Sequence, residues 1–214
     1  LIGKANRFLL PFSEKILVSN KELEGIEDKY KDKIIEIGNI IKKEIINFAK
    51  DYKFNDKQKI SILILGGSQA AKIFANILPT VFKNCSDKGI LLKIYQQCLP
   101  EQNEELKQFY KKNLLESHIF NFSDDVSEYF PKVNLAITRS GSSMLAELTN
   151  ANIPFISVPL PSSAENHQLK NAIFYERKKL CFLIHEKDLN KTLIYLIREL
   201  YENNSILDEI KKNK

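Results

Sequence analysis

The stretch Leu135–Asn171, LAITRSGSSMLAELTNANIPFISVPLPSSAENHQLKN, decides how this chain is organised. It reads as strand, tight turn, helix, strand, polar loop and helix. Leu135-Ala136-Ile137 is a short apolar run, Arg139-Ser140-Gly141-Ser142-Ser143 supplies small side chains and one glycine, and Met144 to Leu148 favour a helix. A strand that ends in a Gly/Ser turn and opens a helix aims backbone N–H groups outward at the helix N-terminus, which attracts phosphate. Glu147 follows inside the same helix. Its carboxylate is placed to accept hydrogen bonds from ribose hydroxyls, and its charge makes it a poor phosphate ligand.

Outward from this stretch the same alternation recurs. Strands are expected at Ile60–Leu65, Ile90–Tyr95, His118–Phe122, Leu135–Thr138, Phe155–Val158 and Cys181–Ile184. Helices are expected at Gln69–Phe82, Glu101–Lys112, after Asp124-Asp125, and at Asn166–Lys178 and Leu189–Tyr201. Alternating strands and helices imply an α/β fold, a Rossmann-like parallel sheet with helices on both faces. The continuous apolar run Ile62-Leu63-Ile64-Leu65 fits a strand buried on both sides.

Further upstream, Leu1 to Pro11 reads as the last turns of a helix. Lys15–Ser19 reads as a short buried strand, Ile34–Ile37 as another closed by Gly38-Asn39, and Ile40–Tyr52 as a helix. Two strands and part of a helix make no core alone and call for a preceding sheet. From Asn203 the chain turns polar and Lys-rich, which reads as a fraying end.

A length of 214 residues suffices for one medium domain or two small ones, and the net charge of +5 fits an anionic ligand or membrane surface as well as plain solubility. Cys85, Cys98 and Cys181 are odd in number and lack CxxC spacing, which argues against a disulfide frame or a zinc site and for a reducing compartment. No apolar run approaches the roughly 20 residues of a membrane span.

Three motifs could carry chemistry. Gly66-Gly67-Ser68-Gln69-Ala70-Ala71 follows the first strand of the alternation. It is a tight turn or a ligand loop, and neither a dinucleotide fingerprint nor a Walker A loop. Arg139 through Glu147 is a capped helix start or an anion site. His167, Gln168 and Asn171 open a helix, the two amides three residues apart on one face, where each can donate to and accept from a hydroxyl. A solvated helix start would look the same. All three motifs lie at the C-terminal ends of strands, the edge where open parallel sheets bind ligands.

Gly3-Lys-Ala-Asn-Arg7, Gly38-Asn39, the GGSQAA loop, Phe122-Ser-Asp-Asp125, Thr138-Arg-Ser-Gly141 to Glu147 and His167-Gln-Leu-Lys-Asn-Ala172 occur together and in this order. In that combination the chain resembles the MurG family, the UDP-N-acetylglucosamine–lipid I N-acetylglucosaminyltransferases (hexosyltransferases) of peptidoglycan synthesis. The resemblance implies the C-terminal, donor-binding domain of a GT-B glycosyltransferase at 39–203. It implies the tail end of the N-terminal acceptor domain at 1–38 and a polar tail at 204–214. By the same resemblance Ser68 contacts the donor near the diphosphate and the backbone at Ser123 reads the uracil edge. Ser142, Ser143 and Met144 hold the α-phosphate, Glu147 the ribose, and His167, Gln168 and Asn171 the GlcNAc ring. Lys42 stands where the family has a diphosphate-contacting Arg, keeping the charge without the bidentate fork. Ala70 and Met144 replace a family Gly and Thr.

The implied reaction is inverting transfer of GlcNAc from UDP-GlcNAc to lipid I, with no metal or cofactor. The acceptor site and general base are expected upstream of Leu1. His118 and His185 read as structural or solvated. The implied partners are UDP-GlcNAc, lipid I and the inner membrane surface, with no nucleic acid, and the implied location is the cytoplasmic face of the bacterial inner membrane. Alternatives are a catalytically inactive UDP-sugar-binding remnant, one chain of a split two-subunit transferase, and a Rossmann-type dinucleotide domain, against which the missing GxGxxG counts.

Overall fold

A computed structural model describes residues 4–20, 25–46, 59–123 and 125–213, with the side chains of 4 and 68–71 outside the description. The chain forms two units, Leu1–Lys42 and Lys43–Lys214, a division four residues later than the 38/39 boundary expected from sequence.

In the first unit, helix α1 (Lys4–Leu9) precedes two short parallel strands, β1 (Ile16–Val18) and β2 (Ile34–Glu36), paired Ile16 to Ile34. Leu10 and Tyr30 form a small apolar cluster with Ile16 and Ile26 against it. That cluster is too small to cover both strand faces, so the expectation of a buried β1 is corrected: Leu17 is 61% exposed. Of the helix expected over Ile40–Tyr52, residues 43–46 are helical, 40–42 are not, and 47–52 lie outside the described residues.

The second unit is built on six parallel strands: β3 (Ile60–Leu65), β4 (Leu92–Gln97), β5 (Glu116–Phe120), β6 (Leu135–Thr138), β7 (Phe155–Ser157) and β8 (Cys181–Leu183). They lie in the order β5-β4-β3-β6-β7-β8. The connecting helices are α2 (Gly67–Ser86), α3 (Asn103–Lys112), α4 (Ser142–Asn150), α5 (His167–Arg177), α6 (Leu189–Glu202) and α7 (Ser205–Lys212). Alternate residues of β3 face opposite sides. Ile60, Ile62 and Ile64 join one core with Phe74, Leu78 and Phe82 of α2, Tyr110 of α3 and Leu193, Ile197 and Leu200 of α6. Leu63 and Leu65 are equally buried on the other side. Register places Tyr95 and, through Ala136, Phe155 on the Leu63 side, where they meet Tyr129 and Tyr175 in ring contacts. Both faces are therefore covered, as the alternation implies.

β4 and β5 are displaced by two residues from their expected positions, in opposite directions. Buried glutamines extend β4 beyond its apolar run. Gln96 Oε1 accepts from the Tyr110 hydroxyl at 2.5 Å, and burial raises the Tyr110 pKa, keeping the phenol a donor. On the open edge strand β5, Glu116 accepts from Lys59 and Lys93 at 2.6 and 2.7 Å, a charged edge of the kind that resists further pairing. The three thiols are free and buried, and burial pushes Cys85 up to about 11 and Cys181 up to about 12.

The polar end expected from Asn203 is instead the helix α7. Its Leu207 is 4% exposed in the main core, and Asn213 Nδ2 donates to the Lys179 carbonyl at 3.1 Å. The Lys-rich composition hides an amphipathic helix whose apolar residues are few but correctly spaced. Leu207→Ala is expected to lower stability by about 2–3 kcal/mol in urea unfolding, the cost of a buried leucine rather than of a frayed tail.

Candidate functional site

β3 lies between β4 and β6, so the chain leaves β3 toward one side of the sheet and later returns on the other. At such a switch point the loops after adjacent strands part and leave a crevice. Here those loops are Gly66-Gly67 after β3 and Arg139-Ser140-Gly141 after β6. Gly67 sits at φ +63°, where a side chain is strained, and its N–H donates to Gln97 Oε1 at 3.2 Å.

The first backbone bond of α4 runs from Leu145 N to Gly141 O at 3.1 Å. The N–H groups of Ser142, Ser143 and Met144 therefore lie ahead of the helical ladder. Among the described residues no side chain caps this end, and a Cβ built on Gly141, at φ −70°, meets nothing within 4 Å. Ser142 and Ser143 are exposed, while Met144 and Glu147 are half-buried. The arrangement suits an anion in front of three amides and the positive end of a helix dipole.

The turn that aims this helix is fixed by α5. Gln168 Oε1 accepts from Ser140 N at 3.2 Å and from Leu160 N at 3.0 Å. Asn171 Nδ2 donates to Ser140 O at 3.0 Å. The buried Ser140 hydroxyl lies 2.7 Å from that of Ser157 at the end of β7. Both ends of the Ser140 peptide are thus satisfied by two side chains one helical turn apart. Beyond the hydroxyl recognition expected from sequence, one end of each amide is committed to the protein backbone. Gln168 keeps its NH2 group, and Asn171 its carbonyl oxygen, for other partners.

His167 is exposed, and its Nδ1 lies 2.8 Å from the Ala164 carbonyl. A carbonyl only accepts, so Nδ1 carries the proton and neutral His167 presents Nε2 as an acceptor. Glu165 and Asn166, just before α5, have φ of 50° and 55°, a strained pair of non-glycine residues bordering the same loop.

At the other end of the edge, Ser123 Oγ accepts from Asp125 N at 3.2 Å, and Asp125 caps the following turn by accepting from Ser127 N at 3.0 Å. Asn121 ties β4 to β5, donating to Cys98 O at 3.0 Å and accepting from Asn103 Nδ2 at 2.8 Å. Ser68 occupies the first turn of α2, its side chain outside the description, and Lys42 is exposed at the end of the first unit. Thus Gln168 and Asn171 meet the Ser140 turn directly. Ser68 and Ser123 share its edge of the sheet, with Ser123 three strand positions from β6, or about 14 Å.

Sequence reasoning missed the structural duty of Arg139. It is buried, with Nη1 donating to the carbonyls of Val158 and Pro159 at 3.3 Å each and Nη2 paired with Glu186. The guanidinium lies over the Phe74 ring at 4.9 Å. The available signal was an arginine immediately after a buried strand, where solvent is out of reach. Gln97, Asn103 and Asn121 carry no comparable signal.

Gln168→Leu strands two backbone N–H groups and is expected to cost about 2–4 kcal/mol, whereas Gln168→Glu retains the accepting oxygen and should lose less. Urea midpoints of the two variants check this order.

Residues 61–214 match the family model described as Glycosyltransferase family 28 C-terminal domain. The UDP-N-acetylglucosamine--N-acetylmuramyl-(pentapeptide) pyrophosphoryl-undecaprenol N-acetylglucosamine transferase of Pelagibacter ubique is 34% identical over 214 residues, 100% of this chain and 59% of the relative. The protein of the same name from Rickettsia canadensis is 31% identical, over 99% of this chain and 61% of the relative. The chain thus spans about three fifths of the length of these curated relatives. In fold it resembles the crystal structure of Acinetobacter baumannii MurG, with a TM-score of 0.72 at 20% identity over 100% of this chain and 58% of that one. From its sheet order to its family match, the chain belongs to the glycosyltransferase family 28 C-terminal domain family.

Proposed function

We propose that this chain is the donor-binding portion of an inverting hexosyltransferase that moves GlcNAc from UDP-GlcNAc to lipid I, forming lipid II for peptidoglycan. The observation that carries this is the α4 N-terminus, open in front of Gly141 and held by Gln168 and Asn171 beside the switch point. The names of the relatives supply the donor and acceptor.

The loops after β5, β3, β6 and β7 open on one edge of the sheet, which supports a single ligand touching all four. Ser123 after β5 meets the uracil, Ser68 after β3 the diphosphate, and Ser142 to Met144 after β6 the α-phosphate. Glu147 accepts from the ribose. His167, Gln168 and Asn171 after β7 surround the GlcNAc ring, through the His167 Nε2 lone pair, the Gln168 NH2 and the Asn171 oxygen. Lys42 keeps the positive charge of the arginine that the resemblance assigns to diphosphate contact.

In the reaction the acceptor C4 oxygen forms a bond to the anomeric carbon as the bond to the UDP oxygen breaks. The acceptor proton passes to a base, which this reading places on the part of the relatives' length that the chain does not span. Negative charge grows on the departing diphosphate, and the amides at Ser142–Met144 stabilise it there without reorganising. The exposed Phe8, Phe12, Leu17 and Ile40, from 61% to 92% accessible, fit packing of the first unit on an acceptor domain. With that domain the enzyme works at the cytoplasmic face of the inner membrane. No helix among the described residues is long and apolar enough to cross it.

UDP-GlcNAc at about 100 times its dissociation constant is expected to stabilise the chain by roughly 2.7 kcal/mol in thermal unfolding. The shift should shrink in Glu147→Gln and be absent with NAD. A stable chain that UDP-GlcNAc does not shift contradicts the donor assignment and favours a remnant that has lost its ligand.

A further inference from the structure

Arg139 does more than follow β6. Its Nη1 holds the Val158 and Pro159 carbonyls, which begin the loop between β7 and α5. Its Nη2 pairs with Glu186 in the turn between β8 and α6. Its guanidinium covers Phe74 of α2, the helix that Gly66-Gly67 opens. One buried side chain on the segment after β6 therefore touches the segments after three other strands, and the segments after β3, β6 and β7 bear the donor-site motifs.

Stability alone accounts poorly for this choice. A buried ion pair is often no better for folding than two apolar residues of similar size. Arg139 also leaves its Nε–H buried without a partner, a cost that packing for stability would avoid. What the arginine supplies and an apolar residue cannot is a planar fork that fixes two carbonyls and a carboxylate at once. Glu186 cancels the charge, so the field in front of α4 comes from its amides.

We propose that Arg139, locked by Glu186, is a positioning residue that holds the Gly66-Gly67, Arg139-Gly141 and Val158-Ser163 loops in the register needed to grip a nucleoside diphosphate. This inference rests on the donor-site reading above.

The test uses the full chain with UDP as probe, measuring affinity by calorimetry and amide hydrogen exchange by mass spectrometry. Arg139→Met/Glu186→Leu removes both charges together but leaves the Val158 and Pro159 carbonyls without their donor, so it is expected to melt below the unaltered chain and, at a temperature where it stays folded, to bind UDP about tenfold more weakly or worse. Exchange should accelerate over 139–145 and 158–163. Arg139→Lys, which keeps the charge and loses the fork, should weaken UDP binding likewise and guards against a double variant that fails to fold. Glu186→Gln keeps an accepting oxygen for Nη2 and should retain most of the affinity of the unaltered chain. Unchanged UDP affinity with unchanged exchange in a folded double variant, or in Arg139→Lys, overturns the proposal. If the unaltered chain binds no UDP, the donor reading fails and the assignment to donor positioning falls with it. Exchange in the same variants still separates that outcome from failure of the strut itself.

Discussion

A peptide between the end of a strand and the start of a helix belongs to neither hydrogen-bond ladder. At Ser140 the backbone is buried, and both the N–H and the carbonyl of that residue need partners. Gln168 takes the N–H and Asn171 the carbonyl. The start of α5 is thereby fastened to the start of α4, and Gln168 extends the fastening to Leu160. The direction of the three leading amides of α4, the space before Gly141, and the outward ends of the two amide side chains all follow from this clamp.

The same residues serve scaffold and ligand chemistry with different atoms. An amide has a donor end and an acceptor end, so Gln168 can hold the turn with its oxygen and offer its nitrogen. His167 behaves alike, its Nδ1 spent on Ala164 and its Nε2 turned to an acceptor role. Changes at these positions couple folding to binding, which separates them from Ser142 and Ser143, whose exposed side chains leave the fold undisturbed.

Much of the fold was legible because the central strands β3 and β6 are largely apolar runs that end in glycine or small polar residues. The strand from Ile60 to Leu65 matches residue for residue. β4 and α7 were misjudged for one reason: burial there is shared with polar partners. Gln96 and Gln97 accept through Oε1 from Tyr110 of α3 and Gly67 of α2, and Leu207 docks from a Lys-rich helix. At the site, the spacing of Gln168 and Asn171 disclosed a common face but not what that face meets, because the Ser140 turn lies about thirty residues away. The strut from Arg139 to Glu186 spans a still longer separation, and no local pattern announces it.

The central claim, that a diphosphate sits against the α4 N-terminus, is tested most directly by amide chemical-shift mapping of the chain on addition of UDP. The account expects the largest changes at the N–H groups of Ser142, Ser143 and Met144, with Gly67 next. Changes confined to the far side of the sheet, around β8 and α7, or none at all, would contradict it.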